Sequence, residues 1–486
     1  MDAKTIMKIK PTLNRFLSQF DDCFGRSTTR QYLPIYVRGQ LSDLPRKSIE
    51  PMADAAGVPA RNLQEFLGLY RWDHLRLRDQ CQQYIAAHYS HEQSVGVVDD
   101  TSYVKKGDQT ACVQRQHCGA VGKIENCVVS VHLVYATPDF YTLIDGQPYL
   151  PQETWDADRN RCRQAGIPDS VVFRPKPQIA REQIQRAAAN GIRFAWLTFD
   201  EGYGRSVPFL RDLDQTGQNY VAEIPQDTRV RTARPQVLYK AHRRDQRRGR
   251  QKQYPRLKVK NNPPAQVRHI LNHSPRLRQK KWQTYHVKDG TKGPMVWEVK
   301  RLTVWQEDEN GLPTPPSQLV IARNVLNPDE IKYFLSNAPE STPTEILLRV
   351  AFTRWTVERA FEDSKTELGM AHFEVRQYQS IQRHLILCCL SHLFLSEFCL
   401  NHRGEKTRPD GLPGTDSSGP IGPAVDCRTA LFPEICPGHQ RRDGRHAATK
   451  CQGPAIPLSP NDPEITRCRY LAQRHNSLSL ESLVAL

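Results

Sequence analysis

The chain has 486 residues, with 68 Lys and Arg against 52 Asp and Glu, a net charge of +16. That length allows about two to four domains whose cores need no disulfide staples. The positive excess points to a polyanionic partner, nucleic acid before membrane, since no basic amphipathic anchor helix is present. The 13 cysteines contain no CxxC pair. Cys427, Cys436, Cys451 and Cys468 fit no common zinc spacing, so reduced structural thiols in a cytosolic protein are expected. The opening MDAKTIMKIKPTLNRF lacks the apolar run of a signal peptide. Leu385 to Leu400 carries Ser391, His392 and Glu397, too short and polar a stretch to span a bilayer.

Residues 1–92 read as helical. Ser48 suits the cap of a helix running through Ala56, Gly57 breaks it, and Pro59 suits the first residue of a second helix. Leu63, Phe66 and Leu67 fall on one face of that second helix. Helix, glycine turn, helix is the outline of a helix-turn-helix DNA reader, and equally of an ordinary helical hairpin.

Residues 93–224 change pattern. SVGVVDD reads as a strand ending in acids, followed by strands at CVVSVHLVYAT (127–137) and FYTLID (140–145) after a glycine-containing loop. IAREQIQRAAANG (179–191) is a helix stopped by Gly191, FAWLTFD (194–200) a buried strand ending in an acid, VPFLRDLDQTG (207–217) a helix and NYVAEI (219–224) a strand. This order predicts an α/β fold with a mixed sheet. Residues 225–342 interrupt it with the basic run KAHRRDQRRGRQKQYPRLKVK (240–260) and then with strands at MVWEVKRLTVWQ and LVIARN. Helix returns within 343–402, at 345–365 and 379–400. Residues 403–486, rich in Gly, Pro, Ser and charge, are expected to be a disordered tail. No internal repeat is found.

Three places carry acids that fit metal chemistry: Asp99 and Asp100 at the end of the first strand, Asp200 at the end of FAWLTFD, and Glu358 on the helix RWTVERAFEDSK. Acids at the carboxyl ends of sheet strands meet in one crevice, and a helix across that edge can add another. Hard divalent cations take oxygen ligands, and two of them activate attack on a phosphodiester, which is why Asp and Glu suit this chemistry. Each acid taken singly also fits a duller role. Asp caps turns, and Asp200 is followed by Glu201, Gly202 and Gly204. Arg354 with Glu358 (i, i+4) and Glu362 with Lys365 (i, i+3) suit a solvated, ion-paired helix face.

In combination, VVDDTS, LTFDEGYG and RWTVERAFEDSK, in that order, resemble the signature regions of DDE transposases of the bacterial cut-and-paste insertion-sequence group. Arg354, three residues, Glu358, six residues, Lys365 match that group's helix signature, while its Tyr position is Ala351, with Phe352 and Trp355 close by. FGRSTTRQYLPIYVRGQL and QRQHCGAVGKIENC also resemble the group, so the likeness runs over roughly residues 20–400. The resemblance implies an RNase-H-like core interrupted by a β-rich insertion, with a helical N-terminal DNA-binding region. It implies Asp100, Asp200 and Glu358 as ligands of two Mg²⁺ ions, or Mn²⁺, with Asp99 and Glu362 as competing choices. Arg354 and Lys365 would hold DNA phosphate near the cut. Arg243, Arg244, Arg247 and Arg248 in the basic run are expected to track DNA backbone.

The implied reaction is attack of water at a transposon end, releasing a 3′-hydroxyl that attacks target DNA. The implied partners are terminal inverted repeats and target duplex, with a homodimer formed on DNA and no membrane, in a bacterial cytoplasm beside the nucleoid. Two rivals share these residues: an RNase-H-like nuclease without strand transfer, and a catalytically silent sequence-specific DNA-binding protein. A small-molecule phosphotransferase is disfavoured by the missing P-loop.

Overall fold

The computed structural model describes residues 3–240, 254–259, 263–290 and 293–402. Arg243, Arg244, Arg247, Arg248, the four cysteines from Cys427 on and the predicted disordered tail lie outside the described residues. All nine cysteines within them are free thiols, eight of them buried.

The N-terminal region is helical as the sequence predicts: α1 (Ala3–Ser18), α2 (Tyr32–Leu41), α3 (Ile49–Ala55), α4 (Ala60–Gly68) and α5 (His74–His88). Ser48 is the N-cap of α3, although its hydroxyl makes no capping bond. Gly57 takes a φ of 65°, open only to glycine at low cost, and turns the chain into α4. Pro59 is the N-cap of α4, one position before the expected one, since its carbonyl accepts the Asn62 N–H. Leu63, Phe66 and Leu67 are buried on one face, and the Phe66 and Trp72 rings stack at 5.1 Å.

A ten-stranded sheet forms the centre. Its first strands are β1 (Val95–Val104), β2 (Gln114–Cys118), β3 (Lys123–Ala136) and β4 (Tyr141–Pro148). Helix α6 (Lys176–Ala189) leads to β5 (Trp196–Phe199), then α7 (Glu201–Gly204), α8 (Val207–Gln215) and β6 (Tyr220–Glu223). Strands β7 (Gln283–Gly290), β8 (Gly293–Val304), β9 (Ser317–Asn324) and β10 (Ile331–Ser336) complete it. β3 is antiparallel to both β1 and β4, while β5 runs parallel to β1 and β6 parallel to β5. Three antiparallel strands continued by two parallel ones make the RNase-H-like core that the resemblance implies. The insertion strands are part of the same sheet. They run in the order β7-β8-β9-β10 and join the core where β10 pairs with β6.

Two local expectations change. The first strand does not end at the acids: β1 runs on to Val104 because β3 pairs with it as far as Val104↔Cys127. The loop before β3 contains β2, whose alternation of part-buried and exposed polar residues hides it from a hydrophobic reading. At Gly96, a Cβ would lie 2.6 Å from the Leu197 side chain and 2.8 Å from Phe194, so only glycine lets that layer close over β1.

The last helices are α9 (Thr344–Thr353), α10 (Trp355–Thr366) and α11 (Tyr378–His402). The single helix expected over 345–365 is broken at Arg354, where the bonds Arg354 N–H to Ala351 and Val357 N–H to Arg354 span three residues and tighten the turn. By length and composition α11 could cross a membrane, but 67% of its apolar window is buried within the fold, which accounts for that composition as a core helix. Its Arg383, 2% exposed, donates to the carbonyls of Phe66, Leu67 and Trp72, so it closes the C-terminal end of α4. The N-terminal helices, α11 and one face of the sheet share one apolar cluster, including Leu13, Phe66, Leu133, Leu197 and Phe394.

Candidate active site

The parallel register of β1 and β5 positions the first acids. Val97 lies beside Thr198 and Val98 beside Phe199, so Asp99 and Asp100 come level with Asp200, the residue after β5. Asp200 is the N-cap of α7, and its Oδ1 accepts the N–H groups of Gly202 (2.9 Å) and Tyr203 (3.3 Å). The capping role and the acid's place at the strand end are therefore one arrangement: the cap fixes the carboxylate at the sheet edge.

Successive residues of a strand point to opposite faces. Asp99 lies opposite His132, whose ring meets Phe361 of α10 edge-on at 5.3 Å. Asp100 lies opposite Val131, on the other face, where its Oδ2 accepts a bond from Lys176 Nζ at 2.9 Å. Tyr203 is buried close to Asp100.

On the α10 face, the Arg354 guanidinium stands among carboxylates. Its Nε is 3.2 Å from Glu223, Nη2 is 3.2 Å from Glu358, and Nη1 is 3.6 Å from Asp99. The Arg354 side chain is only 17% exposed, whereas that of Glu358 is 49% exposed. Glu223, at the end of β6, also accepts a bond from Lys332 Nζ at 2.7 Å.

Burial, then the charges of Asp200 and Asp100, push the Asp99 carboxyl up to about 8, against the pull of the Asp100 N–H and Arg354. Asp200 is raised too, by burial and then by Asp100, with its capping N–H groups and Arg354 opposing. Burial and the neighbouring aspartates hold the Tyr203 phenol well above its ordinary range. Burial works against the Arg354 charge, but Glu223, Asp99, Glu358 and Asp200 together keep it protonated.

The structure thus brings Asp99, Asp200, Arg354 and Glu358 together. Asp100 shares the field of Asp200 but faces Lys176. Glu362 is not drawn in and pairs with Arg359 at 3.5 Å. Lys365 lies 6.0 Å from the centre of the Tyr103 ring, and its ammonium is lowered by burial. Ala351, at the signature's Tyr position, is buried. Sequence reasoning passed over Glu223, Lys176, Lys332 and Tyr203. For Glu223 a signal was present, since NYVAEI ends in an acid just as FAWLTFD does.

Among the described residues, no three His, Cys, Asp or Glu side chains are drawn close enough to hold a metal as they stand. The donor set nevertheless fits a hard divalent cation. It is all carboxylate oxygen, and burial together with neighbouring aspartates (Asp200 and Asp100 beside Asp99, Asp100 beside Asp200) makes both carboxyls resist ionisation, which a bound cation would offset.

A "probable transposase for insertion sequence element IS701" of Microchaete diplosiphon is 26% identical over 350 residues, covering 71% of this chain and 76% of that one. The NurA nuclease of Sulfolobus solfataricus, a solved structure, is 10% identical and covers 61% of this chain and 92% of its own. Its TM-score of 0.21 is too low to bear on the fold. The profile of the family described as "DDE superfamily endonuclease" matches residues 19–294, more than half of the chain, a segment that holds Asp99, Asp100 and Asp200 and stops short of Glu358. With that match beside an RNase-H-like sheet edge lined with acids, the chain belongs to the DDE superfamily endonucleases.

Proposed function

We propose that the chain is a transposase that cuts DNA at the ends of its element and joins the freed ends to target DNA, using divalent metal ions, Mg²⁺ or Mn²⁺. The observation that carries this reading is the single Arg354 guanidinium that gathers Asp99 and Glu358 beside Asp200, in a chain of the DDE superfamily. Similarity to an insertion-sequence transposase supports the joining step. Asp200, Glu358 and one acid of β1 would hold the metal. The signature favours Asp100 as that acid, and Asp99 is the one that shares Arg354 with Glu358. Bound there, divalent ions would supply activation of the attacking oxygen and stabilisation of the leaving one.

The chain's own residues do the rest. The α7 cap holds Asp200 still at the sheet edge. Arg354 and Lys365 hold phosphate near the cut, and an exposed Glu358 is free to turn from Arg354 as DNA arrives. Water attacks the phosphodiester at the element's end and a 3′-hydroxyl leaves. That hydroxyl then attacks a target phosphodiester and displaces the target's own 3′-oxygen, so no covalent protein intermediate forms. The helical pair α3–α4 and the basic run at 240–260 would bind the terminal inverted repeats. Two copies would act on a pair of ends as a dimer on DNA, in the bacterial cytoplasm.

Purified protein incubated with its element's end DNA, a target plasmid and Mg²⁺ should give cleaved and joined products. Asp200→Asn and Glu358→Gln should each abolish both, by at least about 10²-fold, with DNA binding retained. Cleavage without joining would make the chain a nuclease, and activity surviving both substitutions would place the active site elsewhere.

A further inference from the structure

Among the described residues, Glu223 is the one buried acid at this edge that neither the signature nor the reaction uses. Its two oxygens each meet a different cation: Oε1 accepts from Lys332 Nζ at 2.7 Å, and Oε2 faces Arg354 Nε at 3.2 Å. Its backbone is equally constrained. Glu223 pairs with Phe334 of β10, and a Cβ on Gly204 of α7 would lie 1.9 Å from the Glu223 carbonyl oxygen, so α7 packs on it backbone to backbone. The carboxylate is therefore a fixed point, in contrast to the half-exposed Glu358. It also takes the Nε edge of the guanidinium, leaving Nη1 and Nη2 to Asp99 and Glu358.

We propose that Glu223, fastened by Lys332, is a positioning residue that anchors Arg354 by its Nε, so that the two Nη groups turn from Asp99 and Glu358 to a DNA phosphate without the guanidinium losing its place. A planar fork with several donors can exchange partners on one edge while held on the other. This inference rests on the reading of Arg354 as a phosphate contact, and it gives Glu223 a role with a diagnostic sign. Removing a negative charge near a DNA site by itself tightens DNA binding. Removing the anchor of Arg354 weakens it.

The test is binding of full-length protein to a short duplex carrying the element's end, with EDTA present, over a range of salt. Arg354→Gln should weaken binding about tenfold and lower the salt slope by about one phosphate contact. Glu223→Gln should weaken it about five- to tenfold with the same change of slope. The double variant should bind no more weakly than R354Q alone. Glu223→Asp, which keeps the charge on a shorter arm, should fall between wild type and E223Q. It also replaces E223Q should that variant fail to show a wild-type melting transition, and its loss should then vanish in the R354Q background. Tighter or unchanged binding by E223Q, or an equal loss in the R354Q background, overturns the inference while leaving the phosphate reading intact. Unchanged binding by R354Q overturns the phosphate reading and the inference with it.

Discussion

Asp99 and Asp100 are neighbours in sequence with different tasks open to them, because the pleat of β1 aims them at opposite faces. Asp99 looks to Arg354 and α10, and Asp100 is held by Lys176. Asp99→Asn and Asp100→Asn, compared for cleavage in Mg²⁺, decide which is the ligand. The ligand's loss should cost at least about 10²-fold, and the other's less. Asp99 also predicts a pH effect. An acid whose carboxyl is raised in the folded state binds more protons folded than unfolded between its two pKa values, so stability falls as pH rises through that window. For Asp99 the window runs from the ordinary carboxylate range up to about 8. Metal-free protein should therefore melt lower at pH 8 than at pH 5, and Asp99→Asn should flatten that slope and raise the melting temperature at pH 8 by a few degrees. Mg²⁺ should stabilise wild type more at pH 8 than at pH 6, because the ligands are then ionised. A flat wild-type profile without metal would contradict this account of Asp99.

At the scale of elements, the short helix α7 ties the site together. Its N-cap is Asp200, and its Gly204 touches the backbone of Glu223. Gly204→Ala puts a methyl group against a backbone carbonyl that cannot move without unzipping β6 from β10, and should destabilise the protein by about 1–3 kcal/mol or more. Chemical denaturation measures it, and a change under 0.5 kcal/mol would count against the packing described. Asp200→Asn, by contrast, keeps a good N-cap and should melt within about 0.5 kcal/mol of wild type while losing activity. How much of this the sequence carried depends on the kind of signal. FAWLTFD is an apolar run ending in an acid, so both β5 and the placement of Asp200 were legible. The Arg354–Glu358 spacing was legible as well, since it needs only helical geometry. The side on which Asp99 points was not, because it depends on the register of β1 with β3, a pairing of residues about 30 apart. Nor was the break at Arg354, where no glycine or proline interrupts the helical pattern, or β2, which lacks an apolar face.

Over the whole molecule, the N-terminal helices and the sheet are joined through α11. Arg383 closes the end of α4 while its guanidinium carbon lies 4.7 Å from the centre of the Trp72 ring. Arg383→Met leaves three buried carbonyls without that donor and should cost about 2–4 kcal/mol. Calorimetry should then show the N-terminal helices and the core still melting together, since they share one apolar cluster. The insertion strands extend the same sheet, which is why Lys332, far along the chain on β10, reaches the site through Glu223. The net charge of +16 belongs at this scale too, since it suits a polyanionic partner.

Acids from β1, from the end of β5 and from α10 are proposed to hold the catalytic metal together. Replacing Mg²⁺ by Fe²⁺ and generating hydroxyl radicals at the bound ion cuts the polypeptide next to the ion itself. Cuts are expected near residues 99–100, 200–204 and 354–358, suppressed by excess Mg²⁺ and lost in Asp200→Asn. Cuts clustered elsewhere, or cuts at these places that Mg²⁺ does not suppress, would contradict that proposal.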